Sequence, residues 1–232
     1  GDRAAGHGGV EGVAARLAIA ERLEMVRDRI NRAGGDGRQV TVVAVSKGFG
    51  LDAVEAAYDA GLRDFGENYA QELWQKSGTG ATSYPTPPRW HFLGAVQRNK
   101  VRHLAPVVHA WQGVARTAEG VEIARHCPGA GVMVQVNVTG APRHNGCSFE
   151  EAPALVEDLR RQDLDVRGLM CIAPRYEPRT AFRRLATQAR DLGLSELSMG
   201  MSADFEAAVQ EGSTMVRVGS ALFGPRPGPD RR

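Results

Sequence analysis

Residues 40–46 (VTVVAVS) are β-branched at most positions and alternate between two faces, the pattern of a strand half turned to a core. Short apolar runs of the same kind recur at 62–67, 90–93, 107–114, 132–138, 166–172, 196–199 and 214–219. Helical patterns fall between them, at 52–60, 68–74, 99–104, 118–126, 148–161, 180–192 and 202–211. A further helix over 11–32 precedes the first strand, with Val13, Leu17, Ile19, Leu23, Val26 and Ile30 near helical spacing. Asn68 with Gln71, and Ser148 with Glu151, have the spacing of capping boxes, although Pro153 falls late for a clean first turn in the second. The stretch 77–89, rich in Gly, Pro, Ser and Thr, is expected to be a loop.

Eight strands, the first seven each followed by a helix, predict an α/β fold: a (β/α)8 TIM-type barrel with an extra N-terminal helix. A doubly wound open sheet has the same local signature. The count of eight favours the barrel, and Ser46-Lys47-Gly48-Phe49-Gly50 lacks the GxGxxG spacing of a dinucleotide fold. The expected organisation is one barrel over 11–226 with flexible tails at 1–10 and 227–232. No internal repeat is visible.

Composition narrows the class. The chain has 29 basic and 27 acidic residues, a net charge of +2, so nothing points to nucleic acid or an anionic membrane. No apolar run approaches the ~20 residues of a membrane span, and the first nine residues carry no signal-peptide pattern. Cys127, Cys147 and Cys171 are odd in number and widely spaced, which argues against disulfides and zinc and for a reducing cytoplasm. Cys171, inside an apolar run, is read as a small core residue. Only three residues are lysine, Lys47, Lys76 and Lys100, so few side chains can serve as an amine nucleophile.

Working residues of such barrels sit at the C-terminal ends of strands. Lys47 lies just past strand one and shares a strand face with Val43 and Val45, which would surround its amine with apolar surface. Burial there would favour the neutral amine that attacks a carbonyl, whereas a surface lysine at a loop mouth is the plain alternative. Ser198-Met199-Gly200-Met201-Ser202 runs from strand seven toward a helix N-terminus, and Gly219-Ser220 follows strand eight. Together these loops form the common phosphate site of the fold. Ser202 can equally be a plain N-cap, and Gly219 a turn residue. Arg217 is a cation in an apolar strand and needs an acceptor, either a structural carboxylate or a ring nitrogen.

A Schiff-base lysine, a phosphate cup and an arginine for a pyridine nitrogen describe a pyridoxal phosphate site. The sequence resembles the pyridoxal phosphate homeostasis protein family, single-domain relatives of the alanine racemase N-terminal barrel. The resemblance rests on 43–47 (VAVSK), 65–69 (FGENY), 90–94 (WHFLG), Gln97 with Asn99-Lys100, 167–170 (RGLM), 196–202 (ELSMGMS), 216–220 (VRVGS) and Phe223-Gly224. It implies a cofactor held on Lys47 as an aldimine and Asn68 beside its ring. It further implies Arg217 at the pyridine nitrogen and Met201, Ser202, Gly219 and Ser220 around the phosphate. Residues 109–114 depart from the family's usual Ser/Thr-Val/Ile-Asp-Arg strand end, and the loop 141–147 is also unusual.

Arginine has donors and no acceptor, so a ring nitrogen facing Arg217 would stay unprotonated and the cofactor would be a weak electron sink. The racemase relatives add a β-domain that supplies a tyrosine base. The sequence ends eight residues after Gly224 and offers no counterpart. The expected role is therefore a non-catalytic carrier that buffers or delivers pyridoxal phosphate and maintains vitamin B6 and amino-acid levels, with apo-forms of pyridoxal phosphate enzymes as acceptors. The alternatives are a weak racemase-like enzyme acting on amino acids and a cofactor-free barrel lyase or isomerase for phosphorylated sugars. Oligomeric state, and any second cofactor site at Lys76 or Lys100, stay open.

Overall fold

The alternation along the strands sorts the side chains into two separate apolar clusters. Val42 and Ala44 on one face join a shell that includes Phe65, Trp90, Trp111, Val134, Leu169 and Val216, packed beneath the helices. Val43, on the other face, joins Met133, Met170 and Met215 in a small central cluster. Period-two strands closed into a ring give this division, one layer filling the barrel and one facing its helices.

The computed structural model describes residues 7–80 and 84–225. Its strands are β1 (Thr41–Val45), β2 (Asp64–Glu67), β3 (Arg89–Phe92), β4 (Val108–Val114), β5 (Gly131–Gln135), β6 (Asp165–Met170), β7 (Glu196–Met201) and β8 (Met215–Val218). All pair in parallel in chain order, and β8 returns to β1 to close the barrel. The helices are α1 (His7–Arg32), α2 (Leu51–Asp59), α3 (Ala70–Gly80), α4 (Arg98–Leu104), α5 (Thr117–His126), α6 (Ala152–Arg161), α7 (Pro178–Asp191), α8 (Phe205–Gln210) and α9 (Ser220–Phe223). The expected barrel with its leading helix is the fold observed.

Several local expectations change. α1 starts at His7 rather than at residue 11, so residues 7–10 are helical; the remaining tail positions, 1–6 and 227–232, lie outside the described residues, as does residue 226 at the expected end of the barrel. Ile19, Leu23, Val26 and Ile30 are buried, whereas Val13 and Leu17 are exposed. A helix of 26 residues is ~39 Å long, longer than a barrel strand, and its buried residues run from Ile19 to Ile30 among the described side chains. α3 continues through Gly80, shortening the expected loop, and it begins at Ala70, which leaves Asn68 outside the helix and at the barrel mouth. Ser148 and Glu151 do form a reciprocal pair. The Glu151 amide donates to Ser148 Oγ (3.1 Å) and the Ser148 amide to Glu151 Oε2 (2.8 Å), but on the turn before α6, because Pro153 belongs to its first turn. Strand eight is followed by a single helical turn, α9, that the pattern did not show.

Two glycines allow the strand ends at the mouth to come together. A Cβ on Gly94 would lie 2.1 Å from the Asn68 carbonyl oxygen, and one on Gly113 would lie 2.1 Å from that of Gly94. Any side chain at either position would push apart the loops after β2 and β3 and the end of β4.

Candidate functional site

At the C-terminal mouth of the barrel lies a cavity of about 290 Å³. Lys47, Asn68, Met201, Ser202, Arg217, Gly219 and Ser220, the seven positions singled out from the sequence, all line it. β1 brings Lys47 there by parity, directly above Val45 and Val43. Lys47 is half-buried, less enclosed than the strand pattern suggested, and its Nζ sits 4.9 Å from the centre of the Tyr69 ring. No carboxylate pairs with it among the described residues. Phe49, two residues on, stacks against Phe223 of α9 at 5.0 Å and walls the same side.

Arg217 lines the same cavity, buried on β8, the strand that pairs with β1. Its Nη1 donates to Ser198 O (2.7 Å) and Ser198 Oγ (2.8 Å), and its Nη2 to Cys171 O (2.7 Å). Burial lowers its affinity for a proton, and no carboxylate within ion-pair distance compensates among the described residues. The structural salt bridge weighed from the sequence is therefore not what holds it. Neutral oxygens do, and they leave N–H donors to spare on a guanidinium that carries five.

The third wall differs from expectation. α8 begins at Phe205, so Ser202 is not its N-cap; Asp204 fills that position and its Oδ1 accepts from the Met201 amide (2.6 Å). The anion-binding helix end predicted just behind Ser202 is absent because a turn over 202–204 intervenes. Ser202 Oγ instead accepts from the amides of Gly219 (3.3 Å) and Ala221 (3.2 Å), across the β8–α9 junction. A hydroxyl oxygen stands there in the position an anionic oxygen would take, and Ser220 lies at the same rim.

Beneath the Lys47 loop is a buried charged cluster that sequence reasoning missed. Glu67 Oε1 accepts from Lys76 Nζ (2.5 Å) and from Ser46 Oγ (2.6 Å). Lys76 Nζ also donates to the Ser46 carbonyl (2.8 Å) and to Glu72 (3.1 Å), which in turn accepts from the Gly48 amide (2.9 Å). Burial pushes the Glu67 carboxyl up, against the hydrogen bonds of Lys76 and Ser46 that pull it down. Lys76 is thus fixed in the protein interior and is not open to a second cofactor. Lys100 is exposed on α4, beside a larger groove of about 690 Å³ that Tyr69, Trp74 and His103 also line. Size does not mark that groove as the site, since the buried cation and the amide-bound hydroxyl belong to the smaller cavity.

A second buried set crosses the barrel from the opposite end. Burial alone would raise the Asp64 carboxyl, but hydrogen bonds from Arg89 and His91 outweigh it and hold it at about 2. A carboxyl depressed in the folded state stabilises the fold above its unfolded value, near 3.9, and loses that contribution as pH falls toward 2. The thermal midpoint should therefore drop below about pH 4, and less steeply in Asp64→Asn; equal slopes in the two proteins would contradict the assignment. Burial also pushes the Cys147 and Cys171 thiols up to about 12. A thiolate-directed reagent at neutral pH should label half-buried Cys127 alone in the folded protein, and rapid labelling of Cys171 would contradict its place in the core. No group of His, Cys, Asp or Glu among the described residues is placed to hold a metal ion, and none of their helices is long and apolar enough to cross a membrane.

Residues 16–227 match the family described as alanine racemase, N-terminal domain. The chain is 42% identical over 223 residues to the pyridoxal phosphate homeostasis protein of Pseudomonas aeruginosa, covering 90% of this chain and 94% of that one. The chain belongs to the pyridoxal phosphate homeostasis protein family. A solved family member, PipY of Synechococcus elongatus with PLP bound, superposes with a TM-score of 0.78 at 33% identity, over 89% of this chain and all of that one. Alanine racemase from Corynebacterium glutamicum shares the fold at a TM-score of 0.70 and 17% identity, over 93% of this chain and 63% of that one. Within the family frame, the unusual segment 109–114 is the end of β4, and its Gln112 is buried inside the barrel. The unusual loop 141–147 is tied down by Asn145, which donates to Gln135 Oε1 (2.6 Å) and to Gly113 O (3.2 Å).

Proposed function

We propose that this chain binds pyridoxal phosphate as a Schiff base on Lys47 and acts as a carrier that buffers or delivers it, maintaining vitamin B6 and amino-acid balance. One observation carries the reading: an amine with no carboxylate partner among the described residues shares a cavity with a buried arginine and with a hydroxyl that takes two backbone amides. That donor set suits an aldehyde, a ring nitrogen and a phosphate in turn. The names of the relatives agree with it, as does the bound state of PipY.

In this reading Lys47 supplies the amine and Asn68 lies beside the ring. Arg217 would donate a spare N–H to the ring nitrogen. Ser202 and Ser220, with Met201 and the amides at Gly219, hold the phosphate. Bound pyridoxal phosphate would supply an electron-withdrawing ring. Arg217, which can only donate, would keep that ring nitrogen unprotonated and make the site a poor one for α-proton removal. The acceptors would be apo-forms of pyridoxal phosphate enzymes in the cytoplasm.

A second reading, a weak racemase-like enzyme, has one observation in its favour. A neighbouring cavity of about 320 Å³ shares Asn68, Leu93 and Ile172 with the first and presents Arg143, His144 and Asn137, room and charge for an amino acid. Deuterium exchange at the α-carbon of several amino acids decides between them. The carrier should exchange them hardly faster than free pyridoxal phosphate does; rapid exchange or racemisation would make it an enzyme.

A further inference from the structure

The buried polar groups between Arg217 and Asp64 form one continuous hydrogen-bonded chain through the barrel, and the role of each member follows from its neighbours. Asp64 at the start of β2 can only accept, and Arg89 already holds it with two bonds of 2.8 and 2.6 Å. His91 on β3 approaches Asp64 Oδ1 through Nε2 at 2.9 Å, so that nitrogen carries the proton. His91 Nδ1 is then the acceptor, and the Gln112 amide nitrogen meets it at 2.8 Å. The same nitrogen lies 3.0 Å from Met215 Sδ, a second acceptor, which fixes which way the amide points. Gln112 Oε1 is left facing Ser198 and takes its hydroxyl proton at 2.5 Å. With its proton committed there, Ser198 Oγ can only accept from Arg217, and it does so at 2.8 Å.

Every donor in the chain thus points from the cation toward the carboxylate. Reversing any one link would set two donors against each other in a buried space. Gln112, Ser198, His91 and Arg217 are all at most 4% exposed, so water cannot relieve such a mismatch.

We infer that Gln112 is a positioning residue for the cofactor: through Ser198 it fixes the guanidinium of Arg217 so that its spare donors face the cavity. This inference rests on the pyridoxal phosphate reading of that cavity. It gives the unusual end of β4 a role, as the neutral link that carries the order set by Asp64 and His91 across to β8.

The test combines the visible spectrum of protein-bound pyridoxal phosphate with its dissociation constant for Gln112→Leu, Ser198→Ala and the double variant. Each single change should shift the absorption maximum of the bound cofactor and weaken its retention about tenfold, the scale expected when a buried hydrogen bond is lost. The double variant should be no worse than the poorer single one, because the chain is already broken. A purely structural role would lower the melting temperature and leave the spectrum of the folded protein unmoved. Ser198→Ala removes only an oxygen, so it remains informative if Gln112→Leu does not fold. Singles with the parent's spectrum and affinity, or effects that add in the double variant, overturn the inference while the Lys47 reading stands. A parent protein that develops no visible band with pyridoxal phosphate overturns both.

Discussion

Lys76→Met should destabilise the protein by about 3–5 kcal/mol, the cost of removing one partner from a buried ion pair. It would leave Glu67, with no exposed surface, facing an apolar side chain. In a chain of this size that lowers the melting temperature by roughly 10 °C. Glu67 Oε2 has no partner among the described residues, so the Ser46 hydroxyl on Oε1 would be left as the main donor to the stranded charge. The carboxyl would take up a proton, and the loss should shrink as pH is lowered. Adding Glu67→Gln to Lys76→Met should recover part of the stability, since the double variant no longer buries a lone charge. Because Lys76 also ties down the Ser46 carbonyl, the single variant should bind pyridoxal phosphate more weakly as well. Thermal unfolding of the two variants and the parent reads this directly. A melting temperature within a degree or two of the parent for Lys76→Met would show that the pair contributes little.

Ser202→Asp should weaken cofactor retention by roughly tenfold to a hundredfold, the range of a lost hydrogen bond to a charged group, with the fold intact. The new carboxylate can take the Gly219 and Ala221 amides that Ser202 Oγ accepts from now, placing a fixed anion where the phosphate would bind. Ser220→Asp at the same rim should act in the same direction with less effect, because Ser220 is exposed. Dialysis followed by measurement of bound pyridoxal phosphate checks both. Full retention in Ser202→Asp would move the phosphate elsewhere.

Much of the fold was legible because the barrel obeys a strong alternation. Val43 does point into the barrel and Val45 into the cavity beside Lys47, and eight strands do close in chain order. Helix starts were less legible. Asn68 and Ser202 both look like caps by residue type, yet both belong to the barrel mouth, where contacts across the cavity override local preference. Arg217 was visible as a cation in an apolar strand, but what accepts from it was not, since carbonyl partners such as Cys171 O leave no mark in a sequence. The Lys76–Glu67 pair and the Asp64-to-Arg217 chain join residues from different strands and helices, and only tertiary packing brings them together. A signal did exist for Gln112, an amide between Trp111 and Gly113 in an apolar strand, of the same kind that exposed Arg217.

The most direct measurement of the central claim is borohydride reduction of the protein loaded with pyridoxal phosphate, followed by peptide mass mapping. The visible absorption should be bleached and the added mass fixed on the peptide that contains Lys47, with Lys47→Ala showing neither. Mass fixed only on exposed Lys100, or a visible band that survives Lys47→Ala, would contradict the account.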